Sequence, residues 1–113
     1  MIDRSIFNAN YEIFDKEIVK EIIEIYIQEY PDRIINMKKN IEENDLDSLY
    51  KNAHSMKGVT ANFFDKETEE YARQLESKGK AGDNTGLEEI FQQLIIASEK
   101  LIEELKQMAI EYS

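Results

Sequence analysis

The sequence predicts an all-α fold, an antiparallel four-helix bundle with a short helix or strap at its amino end. Three observations lead there. Apolar residues recur at alternating spacings of three and four, the period of a helix buried along one side. Long period-two alternation, the mark of a half-buried strand, is absent. One proline and four glycines in 113 residues leave few helix breakers, and three of the glycines share one stretch, "KGKAGDNTG".

The first element, "SIFNANYEIF", carries Ile6, Phe7, Tyr11 and Phe14. It is long enough for a short helix, or for a strap of apolar side chains across the end of a bundle. Asp15 then stands where an N-cap belongs, with Glu17 in the first turn, where the helix dipole favours a carboxylate. Val19, Ile23, Tyr26, Tyr30, Ile34, Met37 and Ile41 form one face. Pro31 would ordinarily end a helix, but the apolar phase passes it without a reset. One long helix over 15–43, kinked near Pro31, is therefore preferred to two helices meeting at Tyr30–Pro31.

"ENDLD" interrupts the pattern, and Asn44 or Asp45 can cap the next helix. Its stripe is Leu46, Leu49, Ala53, Met56, Thr60 and Phe63. Asp65 caps the following helix, which carries Thr68, Tyr71, Ala72 and Leu75 and frays into the glycine stretch. Thr85 and Glu88 have capping-box spacing. The last helix runs through Leu87, Ile90, Phe91, Leu94, Leu101, Leu105, Met108 and Tyr112. Short connections between these helices make neighbours antiparallel. With no repeat or linker composition, residues 1–113 read as a single domain.

Composition narrows the functional classes. No cysteine means no disulfide and no thiolate metal site. A formal net charge of −10 opposes nucleic-acid backbone binding and an anionic membrane surface, and mainly confers solubility. No apolar run is long enough to span a bilayer, and "MIDRSIFNAN" lacks the features of a secretion signal. A soluble cytoplasmic protein is expected.

The chain's sole histidine lies in "AHSMKGVTANFF", residues 53–64. His54 sits one residue past core position Ala53, about 100° around the helix. Its neighbours on that surface are Tyr50, Lys57, Gly58 and Ala61. Most lone histidines on helices have no special role. Gly58 argues otherwise here: mid-helix glycine costs roughly 1 kcal/mol relative to alanine, and at this position it clears space beside the imidazole for another molecule. An exposed neutral imidazole is a nucleophile near neutral pH, and a cation one turn away can offset phosphoryl charge. No Ser or Cys nucleophile is recognisably paired with it. A di-metal bundle would need glutamate three residues before the histidine, but residue 51 is lysine. "GKAGDNTG" lacks the spacing of a phosphate-binding loop. The site could accept a phosphoryl group, but a partner would have to activate the donor.

"AHSMKG" resembles the signature of histidine-containing phosphotransfer (HPt) domains, written A-H-x-[hydrophobic]-K-G, and Ala53, His54, Met56, Lys57 and Gly58 all fit. The stretch from "YIQEYPDRI" to the histidine helix, and "YARQLESKGKAGD" with its leucine–glutamate pair, are similar to the surrounding family helices. The likeness spans roughly residues 10–110. Ala61 keeps the small residue usual seven positions after the histidine; Phe64 replaces the glycine usual ten after it, which leaves the end of that helix open.

The resemblance implies a phosphorelay intermediate in two-component signalling, in which His54 passes phosphoryl groups between aspartates of receiver domains. Lys57 would then give electrostatic support, and Gly58, Ala61 and Tyr50 would form the receiver docking surface. Partners would be response-regulator receivers, a hybrid sensor histidine kinase, or both, with the chain a monomer. It would need no cofactor of its own, Mg2+ coming with the receiver, and no kinase activity of its own is expected. Two alternatives stand: a non-catalytic bundle that docks receivers, and the phosphoacceptor domain of a chemotaxis-type histidine kinase.

Overall fold

The computed structural model describes residues 1–112. Five helices follow in order: α1 (Arg4–Tyr11), α2 (Lys16–Glu42), α3 (Leu46–Ala61), α4 (Lys66–Ala81) and α5 (Leu87–Glu111). No strand occurs among the described residues. Helices α2 to α5 form the bundle: α3 packs on α2 and α4, and α5 closes the ring against α4 and α2. Connections at 43–45, 62–65 and 82–86 are short enough to force reversal at each turn.

Helix α2 runs unbroken through Pro31, so the two-helix alternative fails. Its stripe buries Val19, Ile23, Tyr26 and Met37, while Tyr30, Ile34 and Ile41 lie half-buried beside the core. Opposite them α3 buries Leu49, Ala53, Met56 and Thr60. The Tyr26 phenol reaches Thr60 Oγ1 at 2.8 Å inside the bundle. Burial pushes that phenol far above its ordinary range, so it stays neutral and hydrogen-bonded. Helix α5 supplies Phe91, Leu94, Leu101, Leu105 and Met108.

Helix α1 is both helix and strap. Asp3 caps it by accepting from the Ile6 backbone, and its fully buried Phe7 stacks on Phe63 with centroids 6.3 Å apart. The Asp3 and Ile2 amides then bond to the Phe64 carbonyl and the Glu104 carboxylate. The strap thus fastens the end of the bundle where α3 turns into α4.

The turns depart from the sequence reading in instructive ways. Asn44 does not cap α3. It takes the left-handed conformation (φ 54°) and closes α2, its amide bonding to Ile41 and that of Asp45 to Asn40, the Schellman pattern. Asp45 caps α3 instead, accepting from the Ser48 amide. Asp15 occupies the N-cap position of α2 but makes no side-chain cap bond.

Helix α4 does not fray at Gly79. It continues to Ala81 and ends in a second Schellman pair, Gly82 to Gly79 and Asp83 to Lys78, with Gly82 left-handed. The Thr85–Glu88 capping box does not form. Gly86 is the N-cap of α5, while the Thr85 amide and hydroxyl both bond to Asp83, whose carboxyl is pushed down to about 2. The helix starts one residue later than that box requires, so Thr85 lies before the cap and bonds back to Asp83.

Phe64 answers the question raised by the missing glycine. It adopts the left-handed conformation (φ 58°) that the glycine would have supplied, after amide bonds from Phe63 to Thr60 and Phe64 to Ala61. Such a conformation costs a side-chain-bearing residue about 1–2 kcal/mol. Packing of the half-buried ring against the core, and the bond from Asp3 to its carbonyl, offset that cost.

Candidate functional site

Burial of Leu49, Ala53, Met56 and Thr60 fixes the rotation of α3. That rotation turns His54 outward, and its side chain is 66% exposed. Lys57 follows one turn later at the α3–α4 seam, with its side chain 27% exposed. Gly58 is exposed, and a Cβ built there would meet nothing within 4 Å. The half-buried Tyr50 ring lies 6.4 Å from the imidazole, tilted. Ala61, also half-buried, lines a shallow groove with Tyr11, Phe14, Ile22 and Phe64. The site residues picked out on the sequence therefore lie along one side of α3, as helical spacing requires.

One member of the constellation was not assigned from sequence. Glu76 follows buried Leu75 on α4, which places it at the edge of the seam with α3. Its side chain is only 12% exposed. One carboxylate oxygen accepts from Lys57 Nζ at 2.6 Å, and the other is hydrogen-bonded to His54 Nδ1. Burial pushes the Glu76 carboxyl up. The hydrogen bonds from Lys57 and His54, together with their charges, outweigh burial and hold it below its ordinary value.

The protonation pattern follows from that contact. An ionised carboxylate can only accept, so the proton in the bond belongs to Nδ1. In the neutral ring the lone pair is then on Nε2. Glu76 thereby fixes which nitrogen is nucleophilic and can balance positive charge that develops on the ring. Its sequence signal was faint: Leu75–Glu76 belongs to the stretch that carries the family likeness, but no local spacing couples residue 76 to residue 54.

The family model for the Hpt domain matches residues 21–110. The chain belongs to the Hpt domain family. In this Hpt domain the matched span runs from α2 through α5 and includes His54, Lys57, Gly58 and Glu76. Membership makes it part of the histidine phosphotransfer family of phosphorelay signalling, whose members generally interact with receiver domains and kinases. Neither the curated proteins nor the solved structures gave a match.

His54 stands outward on α3, and the groove of about 520 Å³ lined by residues such as Glu29, Arg33 and Asn52 does not include it. Among the described residues, no three of His, Asp and Glu group so as to hold a metal ion, and no helix is long and apolar enough to cross a membrane.

Proposed function

We propose that this chain relays phosphoryl groups between receiver-domain aspartates through Nε2 of His54. The observation that carries the reading is an outward-facing imidazole whose Nδ1 is bonded to Glu76. In the loading step, the Nε2 lone pair attacks the phosphorus of a receiver's aspartyl phosphate. The new N–P bond forms as the P–O bond to the aspartate carboxylate breaks, and the carboxylate leaves with the electron pair. The ring becomes a phosphoimidazolium, its Nδ1–H still donating to the Glu76 carboxylate, whose charge offsets the positive ring. Unloading runs the same step backwards onto a second aspartate.

The remaining residues act around that exchange. Lys57, one turn from His54, offsets charge on the phosphoryl oxygens and neutralises Glu76. Gly58 leaves the approach open, and Tyr50 and Ala61 extend the docking face along α3. The receiver brings Mg2+ and its own acidic pocket. One copy of the chain suffices, in a cytoplasmic setting.

The test is incubation with a panel of phosphorylated receivers, followed by a search for acid-labile, base-stable phosphate. Transfer to the wild-type chain and none to His54→Gln supports the relay. Stable binding of receivers without transfer would make the chain a docking module instead. Labelling only with an added ATP-binding kinase domain, and from no receiver, would make it a chemotaxis-type phosphoacceptor.

A further inference from the structure

Gly79 lies in the last turn of α4 and is fully buried, yet it does not end the helix and shows no positive φ. Its conformational freedom is therefore unused there. What it lacks is a side chain: a Cβ at this position would lie 2.9 Å from the Leu46 carbonyl oxygen, 2.9 Å from the Tyr50 amide nitrogen and 3.0 Å from the Tyr50 Cα. All three are backbone atoms of α3, and none can swing aside as a flexible side chain could. At Gly79 the two helices touch backbone to backbone.

Two pieces of geometry tie this contact to the reacting group. Gly79 is three residues after Glu76, so both lie on the α3-facing side of α4. Tyr50 is four residues before His54, so the surface Gly79 touches lies one turn below the imidazole. Any separation of the helices at Gly79 moves Glu76 away from His54 and Lys57. We propose that Gly79 is a positioning residue: by removing its side chain it sets the α3–α4 spacing at which one carboxylate reaches both His54 Nδ1 and Lys57 Nζ.

The magnitude makes the coupling decisive. Ordinary contacts would put a Cβ at 3.4 Å or beyond. An alanine would therefore push the helices apart by about half an ångström, the tolerance within which a working constellation must be held. The spacing is also already at its minimum, so α4 cannot move closer to compensate for a shorter acid. The proposal rests on Glu76 orienting the His54 ring, part of the functional reading above, but its deciding readout, the imidazole shifts, needs no receiver and no phosphate.

The experiment is 15N NMR of the imidazole nitrogens in the wild type, Gly79→Ala and Glu76→Asp. The wild type should show the proton localised on Nδ1 and a bare Nε2, with well-separated shifts. In Gly79→Ala the two shifts should converge toward those of an unconstrained exposed histidine, and transfer should slow. In a Glu76→Ala background, which has no acceptor for Nδ1, the Gly79→Ala change should have no further effect on transfer. Glu76→Asp should lose the Nδ1 signature as well. A folded Gly79→Ala that keeps the wild-type shifts overturns the proposal. If Gly79→Ala does not fold, Glu76→Asp decides: retention of the signature by the shorter acid shows that backbone spacing does not set the contact. Wild-type shifts as described but no transfer from any receiver would instead count against the relay and leave the positioning role standing.

Discussion

At the residue scale, the candidate site centres on one carboxylate, that of Glu76, which accepts from both the Lys57 ammonium and the His54 Nδ1–H. Glu76→Gln keeps an oxygen that can accept from Nδ1 but removes the charge. It should fold and slow transfer by about tenfold or more, because the charge that offsets the positive ring is lost while the orienting bond is kept. Stopped-flow transfer from a phosphorylated receiver measures this. Glu76 also links the site to pH. Its carboxyl is held below its ordinary 4.5 in the fold, so the unfolded chain binds the proton more readily. Its stabilising contribution is complete above about 4.5 and is lost as pH falls through the lowered folded value. Glu76→Gln should flatten that part of the acid unfolding curve. Lys57→Ala should slow transfer or shorten the lifetime of phosphohistidine without abolishing labelling, since it removes charge compensation but not the nucleophile. Unchanged rates in both directions would remove Lys57 from the site.

At the scale of elements, glycine and its absence shape α3. Gly58 is helical and faces open space, so Gly58→Ala should raise stability by up to about 1 kcal/mol through helix propensity alone. Gly58→Gln should also keep the fold yet depress transfer, because its side chain occupies the approach to His54. Thermal melts and transfer rates on both variants check this, and wild-type transfer by Gly58→Gln would end the docking role of Gly58. Phe64 gives the reverse case. Phe64→Ala and Phe64→Gly delete the same packing, but only glycine is at ease at φ 58°. The glycine variant should be the more stable of the two by about 1 kcal/mol, against the usual preference for alanine, and denaturant melts measure the difference. Much of this architecture was readable from periodicity: the stripes of α2 to α5 lie where three-and-four spacing put them, Asp65 caps α4, and of the two residues offered for the start of α3, Asn44 and Asp45, it is Asp45 that caps. Turn chemistry was less so. Asn44 as a helix terminator, the Asp83 acceptor that takes Thr85, and a phenylalanine in a glycine conformation each depend on competition between nearby groups that spacing alone does not rank.

At the scale of the whole molecule, the bundle presents the His54 side chain outward, and the proposed relay leaves donor activation to a docked partner. His54, Lys57 and Gly58 could be singled out as candidates on the sequence because one helix brings them together. Glu76 and Gly79 could not, because the roles proposed for them exist only once α4 lies against α3. The most direct test of the central claim is phosphoryl transfer from a phosphorylated receiver to the purified chain and to His54→Gln, with the phosphorylated atom located by NMR. The account predicts phosphate on Nε2 of His54 in the wild type and none on a His54→Gln chain that melts normally. Full labelling of His54→Gln, or phosphate on Nδ1 of the wild-type ring, would contradict it.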